Sequence, residues 1–192
     1  FPNDPIDLKV YQEVINECSV IHHHCSTSER LLKSKYSIPE SRVQVVAPHG
    51  HYLSYPNTID RGAARIALGI PTDAIVFLQF GLIRGYKGLG ALISSFDSCR
   101  VQEKFLLIAG EYHAPAGLEG IKQRLRLKLR KSLHANFKLV GQAIPSDHVQ
   151  TYLNAADCLV MTHTAGLNSG VAVLGMTFGL QVIGPRLGGL EA

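Results

Sequence analysis

A series of short apolar runs, several of them ending at a glycine, constrains this sequence most. The run AIVFLQF (74–80) precedes Gly81, and the run KFLLIA (104–109) precedes Gly110. Uninterrupted apolar runs of this length are typical of strands that are buried on both faces. Such strands need a cover on each side of their sheet, and the segments between them must supply it.

Helical segments alternate with these runs along most of the chain. Capping residues and apolar spacing predict helices at 26–36, 60–68, 89–99, 145–155 and 170–178. The predicted strands are 43–47, 74–80, 104–109, 137–140, 158–162 and 181–184. This alternation predicts an α/β fold, a Rossmann-like parallel sheet with helices on both faces. Ligands of such sheets bind beyond the carboxyl ends of the strands.

One segment, KQRLRLKLRK (122–131), fits two structures. Its polar and apolar residues alternate as in a strand, but apolar residues at helical spacing extend over a longer stretch, with Leu127 off their line. These residues are Leu118, Ile121, Leu125, Leu129 and Leu133. We predict a helix because it explains the longer stretch. Its cations are expected to form a solvated face, with binding to a membrane or an acidic partner as the alternative.

Composition and charge narrow the classes of function. The chain has 192 residues, of which 46% are hydrophobic, and this suits one domain with part of a second. Its formal net charge of +4 is only mildly basic and gives no reason to expect a nucleic-acid partner. No apolar run approaches the roughly 20 residues of a membrane helix. We therefore expect a cytoplasmic protein, with peripheral membrane contact through regions outside this sequence left open.

Neither a metal nor a cofactor is predicted. The four cysteines are widely spaced and form no Cys-x-x-Cys pair, so they indicate neither a zinc site nor a disulfide framework. His22, His23 and His24 are consecutive, and neighbouring side chains of a strand point to opposite faces. The three imidazoles therefore cannot converge on one ion.

The strongest local candidate for a site is the loop FGLIRGYKG (80–88). It joins a buried strand to a helix start, where unpaired N–H groups and the helix dipole favour a phosphate. Gly81 and Gly88 are candidate ligand contacts, and Gly85 and Gly88 would allow close approach of the backbone. Arg84 and Lys87 bring two cations that could neutralise a diphosphate. The alternative is a pair of ordinary surface cations beside a turn.

Two further glycine loops follow predicted strands, at 162–170 and 184–191. Their candidate ligand contacts are Asn168, Ser169, Gly170, Gly188, Gly189 and Glu191. Backbone amides at a helix start suit sugar hydroxyls or a phosphate. Plain helix capping, and for the carboxylate a favourable position at a helix N-terminus, are the structural alternatives.

Seven short segments carry a family resemblance. They are APHG (47–50), ARIALGI (64–70), the 81–88 loop, LLIAG (106–110), YLNAAD (152–157), GLQVI (179–183) and GGLE (188–191). In this order and spacing they resemble glycosyltransferase family 4, a group of retaining enzymes with the two-domain GT-B architecture. The resemblance spans nearly the whole chain.

The resemblance implies a division of the chain. Residues 1–50 would be a remnant of the N-terminal, acceptor-side domain, 51–60 an interdomain linker, and 61–192 a shortened C-terminal domain that binds a nucleotide sugar. Arg84 and Lys87 would be the catalytic cations that hold the donor diphosphate, without a metal. We expect the sequence to be part of a longer enzyme and inactive by itself.

The function implied is a retaining hexosyltransferase of polysaccharide biosynthesis. It would transfer a sugar from a UDP- or GDP-sugar to a glycan or lipid-linked acceptor. The chain departs from the family where a glutamate pair is usual, since Gly166 and Leu174 stand there, and Gln181 replaces a proline. The alternatives are a non-catalytic nucleotide-sugar-binding domain and a GT-B-shaped sugar-nucleotide epimerase.

Overall fold

A computed structural model describes residues 5–84, 87–113, 117–164, 166 and 168–190. The chain divides into two compact units. The first consists of 1–50, 166–169 and 186–192, and the second of 51–165 and 170–185. The first unit thus includes two short segments that the sequence assigned to the C-terminal domain. The division at a 51–60 linker stays a prediction.

The first unit contains a two-stranded parallel sheet and two helices. In chain order these are α1 (Pro5–Glu17), β1 (Val20–His23), α2 (Ser26–Lys35) and β2 (Val43–Val46), with a short 3₁₀ helix at Gly188–Leu190. A small core forms from Ile15, Leu32 and Tyr36. Helix α1 was not predicted. His23 is buried between the exposed His22 and His24, as the alternation along a strand requires.

The second unit is a five-stranded parallel sheet with intervening helices. Its elements are α3 (Arg61–Leu68), β3 (Ile75–Phe80), α4 (Leu89–Ser98), β4 (Lys104–Ala109), α5 (Gly117–Leu133), β5 (Phe137–Val140), α6 (Val149–Ala155), β6 (Cys158–Val160), α7 (Gly170–Thr177) and β7 (Gln181–Ile183). The strand order is β5-β4-β3-β6-β7, and every pairing is parallel. The predicted α/β parallel sheet is confirmed.

The central strands form the core of this unit. Leu106, Leu107 and Ile108 of β4 are completely buried, because β3 and β5 flank the strand and helices cover its faces. A continuous apolar run is the sequence that such a position demands. Predicted element bounds agree to within a few residues. The largest difference is at α6, which begins at Val149 after a turn in which the His148 N–H donates to the Pro145 carbonyl.

Helix α5 confirms that the 122–131 segment is helical, but the side of the helix that faces the core is not the one that the apolar line suggests. Leu127, which lies off the apolar line in the sequence, is the buried leucine and packs in the cluster that contains Phe137. Four residues on the line, Ile121, Leu125, Leu129 and Leu133, are exposed. The sequence therefore identified the helix, while the structure decides which side of it faces the core.

An ion pair lies at the amino edge of the sheet. The Arg65 guanidinium, buried to 3% exposure, donates to Asp157 Oδ2 at 2.7 Å. The same carboxylate oxygen accepts the Val76 backbone N–H at 2.7 Å, and Arg61 forms a second ion pair with Asp157. Asp157 therefore connects α3 to β3.

Candidate functional site

Two glycines lie side by side where β3 and β4 end. A Cβ on Gly110 would lie 2.0 Å from the Gly81 carbonyl oxygen, and both glycines have positive φ. Only a residue without a side chain allows the two backbones to approach this closely. The strand-end glycines noted in the sequence thus mark a tightly packed point on the carboxyl edge of the sheet.

The loop after β3 is held in place by side chains from the sheet. Gln79 Nε2 donates to the Lys87 carbonyl oxygen at 3.1 Å, and Thr162 Oγ1 donates to the same oxygen at 2.7 Å. The Lys87 N–H donates to the Arg84 carbonyl at 3.0 Å. These bonds fix the backbone of Lys87 relative to strands β3 and β6.

Gly88 is the cap residue of α4 and has the left-handed conformation, with φ 61°. A Cβ at this position would lie 2.2 Å from the Thr162 carbonyl oxygen. Glycine is therefore required both by the backbone angle and by the approach of the segment after β6. The predicted helix start at Gly88 is observed.

The Lys87 side chain turns inward to the carboxyl edge. The residue is 6% exposed, and its Nζ lies 3.5 Å from the Phe80 carbonyl oxygen. Within the described residues, Lys87 forms no ion pair. Burial lowers the pKa of this ammonium, because desolvation disfavours the charged form.

A very small cavity of about 10 Å³ lies beside this ammonium. Gln79, Lys87, His163 and Val171 are among its lining residues. In the described part of the chain, the buried Gln79 Oε1 finds no hydrogen-bond donor. Burial, together with the charge of Lys87, lowers the pKa of His163. The pocket thus combines a cation, an acceptor and an imidazole.

The first turn of α7 lies against the same place. A Cβ on Gly81 would be 3.1 Å from Val171 Cγ2 and 3.7 Å from Lys87 Nζ. The start of α7, at Gly170, therefore approaches the end of β3 and the buried ammonium. A helix N-terminus beside a buried cation is an arrangement that suits an anion.

A larger cavity of about 220 Å³ opens at the ends of β3, β4 and the loop after β5. Gly81, Leu82, Gly110 and Glu111 form one side, and Ile144 and Ser146 are among the other lining residues. Because Gly81 also adjoins Lys87, this cavity and the small one are neighbours along the carboxyl edge. The cavity combines apolar walls with a carboxylate and a hydroxyl.

The predicted site residues divide between the two units. Gly81, Lys87, Gly88 and Gly170 lie at the carboxyl edge of the second unit, and Arg84 is exposed in the same loop. Asn168, Ser169, Gly188 and Gly189 fall in the first unit, where Asn168 Oδ1 accepts the Cys25 thiol at 3.6 Å. Glu191 lies outside the described residues.

Sequence reasoning missed four residues at this edge: Gln79, Thr162, His163 and Glu111. Gln79 is polar within an apolar run, and Glu111 directly follows a strand-end glycine. Both signals were available, because a buried polar residue in a central strand must have a partner or a ligand. The two residues after β6 become visible only when that strand is placed beside β3.

In the described part of the chain, no three His, Cys, Asp or Glu side chains are grouped so that they could hold a metal ion. The predictions that the site needs neither metal nor cofactor stay predictions. None of the helices in the described ranges combines the length and the apolar content needed to cross a bilayer.

Comparisons with known proteins give a consistent fold. No protein-family model matches the chain. A relative, the D-inositol 3-phosphate glycosyltransferase of Jonesia denitrificans, is 23% identical over 188 residues, which are 93% of this chain and 43% of the relative. Sucrose-phosphate synthase from Thermosynechococcus elongatus matches 98% of this chain and 46% of its own, with 23% identity and a TM-score of 0.73.

A further similar structure is Anabaena HepE in complex with UDP-glucose. It matches 97% of this chain and 50% of its own, with 18% identity and a TM-score of 0.77. The chain has the fold of GT-B glycosyltransferases, and its sheet matches their C-terminal domains. At these identities the likeness shows the fold, and the chain spans about half the length of the proteins it matches.

Proposed function

We propose that this chain binds a nucleotide-diphosphate sugar at the carboxyl edge of its five-stranded sheet. In the full enzyme it supplies the donor half of a retaining hexosyltransferase. The observation that carries the proposal is the Lys87 ammonium, which is buried and has no recorded ion pair within the described residues. A buried charge without a counter-charge is costly, and an incoming phosphate provides that counter-charge.

The surroundings of Lys87 suit a diphosphate. The α7 N-terminus lies against Gly81, so its N–H groups and dipole add to the positive potential of the ammonium. Arg84 lies in the same loop and is exposed, where its guanidinium can reach a second phosphoryl group. The 220 Å³ cavity next to Gly81 provides apolar walls for the rest of a nucleotide.

The chemistry follows from these charges. When the bond between the sugar and the phosphate breaks, negative charge grows on the leaving diphosphate while the sugar becomes oxocarbenium-like. Cations that are already in place stabilise that charge where it develops. Lys87 and Arg84 take this role.

The comparisons support the class of donor and transfer. HepE was solved with UDP-glucose and with UDP and glucose, and the Jonesia relative is a glycosyltransferase by name. For this chain we propose a UDP- or GDP-sugar donor and a glycan or lipid-linked acceptor in polysaccharide biosynthesis at the cytoplasmic side. Membership of glycosyltransferase family 4 and retention at the anomeric carbon are parts of the same proposal.

Titration calorimetry of the 192-residue chain with UDP, UDP-glucose, GDP and GDP-mannose tests the binding. Lys87→Met should weaken the preferred nucleotide roughly 10- to 100-fold, the usual loss for one charged hydrogen bond to a phosphate. Arg100→Met, which removes an exposed cation elsewhere in the same unit, is the matched control and should bind normally. Unchanged binding by the Lys87 variant would show that the nucleotide lies elsewhere.

A second candidate is a non-catalytic nucleotide-sugar-binding domain. Gly166 and Leu174 stand where family 4 usually has its glutamate pair, and this observation favours it. Transfer assays on the full-length protein with donor and acceptor panels separate the two, because binding without turnover supports the second candidate. Incubation of UDP-GlcNAc without acceptor, followed by analysis of the sugar product, tests for an epimerase instead.

A further inference from the structure

Helix α5 presents a row of exposed apolar side chains. Ile121, Leu125, Leu129 and Leu133 are 63%, 57%, 52% and 73% exposed. They are spaced four residues apart, so they lie along one face of the helix. We call these four residues the α5 stripe. Exposed apolar side chains that are grouped in this way usually mark an interaction surface.

The α5 stripe points away from the domain because other residues attach the helix. Leu127 packs in the core cluster with Phe96 and Phe137. Arg130 donates to both Asp97 carboxylate oxygens, at 2.9 and 2.5 Å, and lies over the Phe96 and Phe137 rings. At 100° per residue, Leu127 lies on the opposite side of the helix from the centre of the α5 stripe.

Cations flank the α5 stripe. Lys122, Arg126 and Lys128 are exposed, and at helical spacing they border the stripe on both sides. The helix sequence, GLEGIKQRLRLKLRKSL, contains one acidic residue against six basic ones. A helix with an apolar face and a basic border is typical of segments that lie in the headgroup region of a bilayer.

The apolar surface extends beyond the helix. Ile121 and Leu125 of the stripe also border an open cavity of about 710 Å³, whose lining includes Leu127, Leu139 and Tyr112. Lys128 stands at its border. The cavity thus joins the α5 stripe to further apolar side chains, and it increases the area that an apolar neighbour can cover.

We propose that the α5 stripe rests on the surface of an anionic phospholipid bilayer. The leucines enter the boundary between headgroups and acyl chains, and Lys122, Arg126 and Lys128 bind lipid phosphates. Charge decides this occupant over a second copy of the chain, because two copies meeting through their stripes would bring like charges together. The α5 stripe shares no residue with the proposed nucleotide site.

Vesicle co-sedimentation with the 192-residue chain tests the proposal. One vesicle preparation is phosphatidylcholine alone, and the other contains one part phosphatidylglycerol to three parts phosphatidylcholine. The chain should sediment with the anionic vesicles and stay in solution with the neutral ones. Binding should weaken as salt is raised, because each contributing cation is screened.

Three double variants make the test specific. Lys122→Gln with Arg126→Gln should lower the partition coefficient roughly 30-fold, and Leu125→Gln with Leu129→Gln at least about tenfold. Leu53→Gln with Ile66→Gln removes two leucine-sized side chains that are 71% and 75% exposed elsewhere and should bind as the parent does. Nucleotide affinity should be unchanged in all three, which also confirms folding.

Three results would overturn the proposal. The first is no preference for anionic vesicles, and the second is equal loss of binding in the control variant. The third is a dimer in light scattering that Leu125→Gln with Leu129→Gln dissociates while the parent ignores vesicles, since a second copy would then cover the stripe. Failure of nucleotide binding in the parent chain would count against the proposed function alone.

Discussion

A buried cation lies at each edge of the five-stranded sheet, but the two cations differ in their hydrogen-bond partners. At the amino edge, Arg65 donates to the Ala155 carbonyl at 3.0 Å, to the Thr72 carbonyl at 2.6 Å and to Asp157 at 2.7 Å. At the carboxyl edge, Lys87 Nζ lies 3.5 Å from the Phe80 carbonyl oxygen. Both residues are less than a tenth exposed.

This difference separates stability from function. A buried guanidinium with a carboxylate and two carbonyls completes the fold, and it leaves no capacity for a ligand. Among the described residues, the buried Lys87 ammonium has no carboxylate partner and the neighbouring Gln79 Oε1 has no donor, and both are costly for the folded state. Such a cost is typical of a place where a ligand supplies the missing charge. Four measurements test the comparison, from the largest expected effect to the smallest.

Removal of the counter-charge at the amino edge should have the largest effect. Asp157→Ala leaves Arg65 buried without its carboxylate, and breaking a buried pair from one side typically costs about 3–5 kcal/mol. Urea denaturation followed by circular dichroism measures the change. Arg61→Ala is the control, because its side chain is 54% exposed and should cost less than about 1 kcal/mol. Equal losses would mean that Arg65 does not depend on Asp157.

A methyl group at the carboxyl edge should have the next largest effect. Gly88→Ala adds a Cβ at 2.2 Å from the Thr162 carbonyl oxygen in a left-handed backbone, and should destabilise by about 2–3 kcal/mol. Gly69→Ala is the matched control, since its φ is +63° but nothing lies within 4 Å of the added Cβ. Its cost should be about 1 kcal/mol. Similar unfolding midpoints for the two variants would contradict the close approach at Gly88.

The same substitution should destabilise the chain at Arg65 but not at Lys87. Arg65→Met removes a fully bonded group and leaves Asp157 without its buried partner, so it should destabilise the chain. Lys87→Met removes an ammonium that has no ion pair among the described residues, and should be neutral or stabilising by up to about 1 kcal/mol while nucleotide binding weakens. Thermal unfolding with and without nucleotide measures both. Destabilisation by Lys87→Met would place this lysine in a structural role.

The smallest expected effect is the uptake of a fraction of a proton when the nucleotide binds. Burial holds the pKa of Lys87 below its ordinary value of 10.5, so in alkaline solution the folded chain releases this proton before the unfolded chain does. Stability should therefore rise with pH between the lowered pKa and the ordinary one. In the same window, nucleotide binding should take up a proton and weaken as pH rises, because the phosphate needs the ammonium.

Calorimetry of nucleotide binding in two buffers of different ionisation enthalpy measures this proton uptake. The uptake should be near zero at neutral pH, should grow in alkaline solution, and should be absent in Lys87→Met. Uptake that persists in the variant would assign the proton to another group.

The sequence allowed prediction of the sheet and of the loop that carries Lys87. Largely apolar runs identified β3 and β4, because a strand buried on both faces admits few other sequences. Strand-end glycines identified the carboxyl edge, since Gly81 and Gly110 must approach each other without side chains. The spacing of leucines also identified α5, although it could not reveal which side of the helix faces the core.

Local pattern by itself thus determined the element types, the parallel α/β class and the position of the glycine-rich loop. Tertiary structure decided which polar residues have partners. Arg65 and Asp157 are 92 residues apart in sequence, and Thr162 meets Lys87 across 75 residues. Strand order sets such distances, and hydrogen bonding and desolvation depend on them. Arg65 has a carboxylate partner, and Lys87 has none among the described residues. This contrast therefore exists only in the folded chain.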